Sequence, residues 1–408
     1  MEIDTLRNYA RLIAAVGANI QKGQDVVIQA GLDQPEFVTM LAEECYRLGA
    51  AHVAVEWAHQ PLTKLGAKYQ TQERLGTVLP WEEQKLMYRR DTLPAMIYLE
   101  SADPDGLSGI DQAKWAGAQQ SRYKVIKPIR DAMEDRYQWC IAAVPGKEWA
   151  KRVFPDLTED EAVERLWKAI LETSRALGDG VSNWREHNED LRRRCEYLNS
   201  LKLRKLVYKA SNGTDLTVGL IPQATFAGGA ERLHTTGVVF NPNIPSEECF
   251  TTPAAGKAEG IVYSTRPLSY RGVMIENFSI RFKDGKVSEV HAEKNEEALK
   301  TMVSMDKGAS MLGECALVPY DSPIRNSGIM FYNTLFDENA ACHLALGAGF
   351  ANVIGGFEEL GLEGCRALGV NESMIHEDFM IGSRDLDITG ITEDGGEVAI
   401  FRHGGWAF

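Results

Sequence analysis

The chain has 408 residues, 44% hydrophobic and 25% charged, a globular composition that excludes collagen-like and disordered chains and is long enough for two ordinary domains. Lys and Arg total 44 against 58 Asp and Glu, and the resulting net charge of −14 argues against nucleic-acid or anionic-membrane partners. Seven cysteines form no CxxC pair, which excludes zinc ribbons and CxxC redox motifs and points to a reduced, cytoplasmic protein.

In chain order, the N-terminal stretch MEIDTLRNYARLIAAVGANI is an amphipathic helix that opens on acids, so no signal peptide is expected. No window reaches the ~18 apolar residues that a membrane helix needs. After the turn QKGQD, VVIQA reads as a short apolar strand, PEFVTMLAEECYRLGA as a helix and AHVAVEW as the next strand. That β-α-β order predicts a parallel sheet. Ala95–Leu99 and Trp139–Val144 supply two more strands, and the helical stretches EAVERLWKAILETSRAL and NWREHNEDLRRRCEYLN follow. Arg192, Arg193 and Arg194 form the basic triplet of the second stretch, read as a solvated face.

The texture changes near Leu201. KLRKLVYKASNGTDLTVGL predicts a hairpin turning at Asn212-Gly213, and ENFSIRFKDGKVSEVHAE another at Asp284-Gly285. The expected organisation is an N-terminal α/β domain with a mostly parallel sheet over residues 1–200. A strand-rich α+β domain follows over 201–408, and the candidate chemistry lies in it. No GxxxxGK[ST], GxGxxG after a strand, GxSxG or HExxH occurs, so a nucleotide reading would rest on topology alone.

Candidate chemistry gathers in four segments of the second half. NPNIPSEECFTTP places Glu247 and Glu248 between prolines that disfavour helix. MLGECALVPY isolates Glu314 in an apolar run, where a buried charge costs several kcal/mol without a partner. A cation would serve, as would an Arg such as the nearby Arg325. FYNTLFDENAACHLALGAGF carries His343 in ENAACHLALGAG, which reads as a helix rich in Ala and Leu. In MIHEDFM, His376 and Asp378 stand two apart and share one strand face. His52, His187 and His291 read as structural or solvated.

Three carboxylates and two imidazoles suit zinc, cobalt or manganese; thiolates would mark a structural zinc site. Five protein ligands exceed what one catalytic metal usually takes, and suit two metals with a water or hydroxide between them. The chemistry expected of such a set is metal-assisted amide hydrolysis.

At these same places the sequence resembles the aminopeptidase T/aminopeptidase S family of metallopeptidases. The matching phrases are NIPSEECFTTP, STRPLSYRG, GECALVPYDSPI, FYNTLFDENAACHLALG, HEDFMIGSRDLDITGI and FRHGGWAF. The resemblance implies an N-terminal α/β domain, a C-terminal metal-bearing domain, a homodimer, two divalent metals, and release of N-terminal residues from short peptides. Carried over residue by residue, it implies Glu248, Glu314, His343, His376 and Asp378 as metal ligands; Glu314 or the spare Glu247 is then expected as general base on the attacking water.

One position departs. The family's sixth ligand, a tyrosine, follows the His by seven residues, and Phe350 stands there in HLALGAGF. Phenylalanine has no oxygen to offer. Water in place of the phenol, a substitute from Tyr320 or Tyr332, or a weakened or altered activity are the alternatives. Two other functions stay open. One is a non-haem iron ring-cleaving dioxygenase using His343, His376 and Asp378; the other is a binding protein of the same fold.

Overall fold

The computed structural model describes residues 1–408, and its contacts divide the chain into two units. The first comprises Met1–His187 and Ala230–Pro245; the second comprises Asn188–Gly229 and Ser246–Phe408. No helix is long and apolar enough to cross a membrane.

The first unit opens with α1 (Ile3–Leu12), which continues into one turn of π-helix at Ile13–Gly17. β1 (Asp25–Gly31), α2 (Pro35–Arg47) and β2 (His52–Ala58) follow as the expected β-α-β unit, with Pro35 in the first turn of α2, where no N–H bond is lost. β3 (Ala95–Glu100) and β4 (Trp139–Ala143) complete a wholly parallel sheet in the order β2-β1-β3-β4. The long segment from β2 to β4 forms α3 (Gln60–Tyr69), α4 (Gln72–Gly76), α5 (Pro80–Thr92) and α6 (Gln112–Asp131), helices the sequence pattern did not single out. α7 (Lys147–Val153) and α8 (Glu159–Thr173) come next, the latter held by a capping box between Thr158 and Glu161. Tyr9, Phe37 and Trp167 meet edge and face in the core, and the Tyr9 hydroxyl donates to the Ala143 carbonyl at 3.1 Å.

α9 (Gly180–Ser200) carries the basic triplet, and its arginines pair with Asp190, Glu189 and Glu196 on the same helix, as a solvated face should. In the second unit, β5 (Leu203–Lys209) and β6 (Asp215–Leu220) form the first hairpin, with Gly213 at φ +101°. The short ribbon β7 (Glu231–Arg232) with β8 (Val239–Phe240) belongs to the first unit. Next come β9 (Cys249–Thr251), β10 (Pro253–Tyr263), β11 (Leu268–Tyr270), β12 (Val273–Lys283) and β13 (Lys286–Lys294). The β12–β13 turn uses Asp284 and Gly285, both at positive φ, the geometry that matches strand twist in a tight hairpin. After α10 (Glu296–Val303), the chain supplies β14 (Leu312–Leu317), β15 (His343–Gly347) and β16 (His376–Met380). β17 (Asp387–Thr392), β18 (Glu397–Arg402) and β19 (Gly405–Trp406) close it.

These strands build a nine-stranded antiparallel sheet, β11-β12-β10-β6-β5-β17-β18-β19 with β13 beside β12, and a four-stranded sheet, β16-β15-β14-β9. A parallel α/β first unit followed by a strand-rich second one is the fold class expected from the sequence. One element differs. The expected helix ENAACHLALGAG is a 3-10 turn, Glu338–Ala340, followed by strand β15. Every residue of β15 is buried and both its edges are paired, so the segment shows a continuous apolar run in which period cannot separate strand from helix.

Candidate metal centre

The four-stranded sheet sorts chemistry by face. Glu314 lies opposite Ala345, and Ala345 opposite Asp378, so the two carboxylates share one row across three strands. His343 and His376 lie two residues from Ala345 and Asp378, on the same face. Phe250 pairs with Ala316 on that face, and Glu248 precedes Phe250 by two. The other face carries Cys249, Cys315, Leu317, Leu344, Leu346 and Phe379 into the hydrophobic core of the unit. The thiols thus lie away from the imidazoles.

A bulge makes this possible in β14. The register shifts between Leu312 and Glu314, leaving Gly313 as the extra residue. Leu312 therefore joins the core while Glu314 turns to the polar face. A Cβ on Gly313 would collide with the carbonyl oxygens of Ala348 and Gly347, so only glycine fits.

Two triads result. Glu248, Glu314 and His343 bring ligand atoms within 4.8 Å of one another, and Glu314, His376 and Asp378 do the same, with Glu314 common to both. His343 Nε2 stands 3.2 Å from Glu248 Oε2; His376 Nε2 stands 3.1 Å from Glu314 Oε2 and 3.4 Å from Asp378 Oδ1. Each imidazole is oriented by its other nitrogen. His343 Nδ1 donates to the Ala341 carbonyl at 3.1 Å and His376 Nδ1 to the Ala348 carbonyl at 2.7 Å. A carbonyl only accepts, so both Nε2 atoms are left aimed at the carboxylates. Glu314 is thus partnered by His376, while Arg325 bonds the Tyr320 hydroxyl instead.

Burial and charge set the protonation states. Burial, with help from Asp378 and Glu248 and against His376, pushes Glu314 up to about 7. Burial likewise raises Asp378, but the two imidazoles outweigh it and bring Asp378 down to about 2. For His343 and His376 burial favours the neutral ring, and the surrounding carboxylates overcome it and hold both well above the ordinary value.

Glu338, which the sequence reading passed over, belongs here. It is buried, burial holds its carboxyl well above the usual range, and it interacts with Asp378, Glu248, His343 and Glu314. Its only sequence signal was an acid five residues ahead of His343 in a segment read as helix. Glu247 is also buried, but it belongs to neither triad; its N–H donates to Asn339 Oδ1 at 2.7 Å, fastening this loop to the 3-10 turn. Just upstream, Asp337 pairs with Arg266 at 3.1 Å and accepts the N–H groups of Phe331 and Asn333.

The donor set fits a divalent cation. Four carboxylates face two imidazoles in a buried site, and Asp378 Oδ1 accepts no hydrogen bond. Protons or a cation must compensate the surplus negative charge, and mixed N/O donors suit zinc-like ions. Phe350 stands at the rim, its ring centroid 4.9 Å from that of His376 and 5.1 Å from that of Phe250. The Tyr320 hydroxyl, a candidate substitute for a phenol here, accepts from Arg325 at 2.7 Å.

Residues 3–406 match the family described as thermophilic metalloprotease (M29). The chain belongs to this family. It is 40% identical over 405 residues to aminopeptidase AmpS of Bacillus subtilis, covering 99% of this chain and 98% of that one. It is 38% identical over 403 residues to aminopeptidase T of Thermus thermophilus, covering 98% of both. The solved structure of wild-type AmpT from Thermus thermophilus superposes with a TM-score of 0.89 at 37% identity, covering 99% of each chain. As an M29 member the chain is a metallopeptidase, a hydrolase of the class that contains these aminopeptidases. Divalent metal use follows from that membership.

Proposed function

We propose that this M29 peptidase removes N-terminal residues from short peptides at a centre holding two divalent cations. Glu248, Glu314 and His343 would hold one; Glu314, His376 and Asp378 would hold the other. The observation that carries this reading is the pair of triads sharing Glu314. Zinc, cobalt or manganese would supply a polarised scissile carbonyl and a water acidic enough to attack it near neutral pH.

The protein's own groups do the remaining work. Both imidazoles are pre-oriented through Nδ1, so binding needs proton release rather than ring rotation. The proton leaving the attacking water needs a carboxylate outside the triads. Glu338 suits that role through its contact with Asp378 and its coupling to both triads, better than Glu247, whose backbone is tied to Asn339. Glu314, expected from sequence as a possible base, is better used as the shared ligand. An unblocked α-amine would be held by a cation or by a carboxylate that the cations leave free. We place the protein in the cytoplasm as a homodimer, on its seven free thiols and on the resemblance respectively.

The test is release of the first residue from a dipeptide panel by purified protein loaded with zinc, cobalt or manganese, with metal content measured alongside. His376→Ala should abolish release and lower metal content. Absence of release with all three metals, or full release by the variant, would overturn the reading. One metal per chain at full activity would overturn only the two-cation part.

A further inference from the structure

Several residues of the matching phrases lie outside the triads. Arg266 in STRPLSYRG, Tyr320 and Arg325 downstream of Glu314, Arg384 downstream of Asp378 and Gly404 in FRHGG meet instead around one phenol. Arg325 Nη2 donates to the Tyr320 hydroxyl at 2.7 Å, and its guanidinium carbon lies 4.9 Å from the ring centroid. The Arg384 guanidinium carbon lies 5.6 Å from the same centroid. The phenol is held from behind. Tyr320 N–H donates to the Gly404 carbonyl at 2.7 Å, and a Cβ on Gly404 would press on Tyr320 Cβ at 3.0 Å. Arg266 adds its field to this cluster while its own charge is answered by Asp337.

Arg325 and Arg384 form no ion pair, although acids outnumber bases 58 to 44 in the chain. The carboxylates beside them in sequence are turned elsewhere. Asp321 accepts from Asn326 at 2.6 Å, and Asp385 accepts from the Ser211 N–H at 2.9 Å and the Ser383 hydroxyl at 2.7 Å. Two guanidinium groups are thus braced on one phenol, with no carboxylate paired to either. Their link to the centre is short in the chain: Arg266 holds Asp337, and the next residue, Glu338, contacts Asp378.

We propose that Arg325 and Arg384, braced on Tyr320, bind the C-terminal carboxylate of the short peptide whose first bond is cut at the metal centre. This rests on the aminopeptidase reading and names the feature of the substrate it selects. A short unblocked peptide carries one charge at each end. With the amine end held where the first bond is cut, the carboxylate end of a short peptide lies a few residues away, and a cationic patch there would recognise it. Guanidinium donors match a carboxylate in geometry and charge, and an aromatic ring fixes their planes. A subsite of this kind favours peptides of one short length and rejects blocked termini.

The experiment compares kcat/KM of the metal-loaded protein for Leu-Gly-Gly, its C-terminal amide, and Leu-Asp-Gly amide, which carries its carboxylate on a side chain. The wild type should prefer the free acid. Arg325→Gln and Arg384→Gln should each lower the acid-to-amide ratio at least tenfold, through KM, with metal content and Tm unchanged; Arg384→Lys should retain part of it. Arg384 is exposed, so its variant keeps the test valid if Arg325→Gln misfolds. An unchanged ratio, no preference in the wild type, or full recovery of the preference by Leu-Asp-Gly amide overturns the proposal. Calorimetry with D-Leu-Gly-Gly and its amide reads binding without turnover. If no peptide is cleaved yet the acid binds more tightly in an Arg384-dependent way, the subsite stands and the aminopeptidase reading falls.

Discussion

Glu314 makes the metal-free protein sensitive to pH in a calculable way. In the unfolded chain its carboxyl ionises near 4.5, and in the folded one burial raises this to about 7. Between those values the folded chain binds more protons than the unfolded chain. Stability is therefore fully present below about pH 4.5 and is lost as pH rises through about 7. At about 1.4 kcal/mol per pH unit, the loss from this group is roughly 3 kcal/mol. His343 and His376, both raised, act in the same direction, their contribution being lost as pH rises above their folded values. Asp378, lowered to about 2, acts oppositely, but only as pH falls below its unfolded value of 3.8. The perturbation is Glu314→Gln, which keeps the shape and removes the titration. At about 1 °C per kcal/mol for a chain of 408 residues, the Tm of chelated wild type should fall by about 3–4 °C relative to the variant from about pH 4.5 to about pH 8. Saturating metal replaces the protons and should flatten the wild-type curve. Thermal unfolding by circular dichroism in one set of buffers reads all three curves. Parallel curves for chelated wild type and variant would refute the reasoning.

Asp337→Asn removes the partner of Arg266, whose side chain is only 12% exposed, and should cost about 3–5 kcal/mol in urea unfolding. Adding Arg266→Met should recover much of that, and no recovery would show that the pair is not the source of the loss. Phe350→Tyr should keep the ring against His376 and bring an oxygen to the rim of the centre. Slower metal loss into a chelator is expected, and unchanged metal retention and rate would show that position 350 is not a ligand position in this chain.

The parts of the fold that sequence reveals are those with a strong local rule. Asp284-Gly285 fixes a hairpin because both residues tolerate positive φ, and the β-α-β start is legible from its alternating segments. His376 and Asp378 could be paired on one face because a strand repeats every two residues, and the structure keeps them so. His343 shows the limit. Its neighbours Leu344, Ala345 and Leu346 are equally at home in a buried helix, and only pairing on both edges makes them a strand. Glu338 was hidden by the same misreading, since its relation to Asp378 exists only in three dimensions. The turn of Glu314 to the polar face depends on Gly313 being bulged out, which alternation alone would not suggest.

The two-faced sheet also decides which donor atoms the protein can offer a cation. Oxygen donors and sulfur donors alternate along β14, Glu314 on one side and Cys315 on the other. A slip of one position would present a thiolate where the carboxylate now stands, exchanging a hard site for a soft one with no change in composition. Likewise in β16 a slip would put Glu377 where His376 and Asp378 now point, trading an imidazole away. The packing of Leu344, Leu346 and Phe379 holds that register, so the apolar side of the sheet fixes which donor atoms the other side presents.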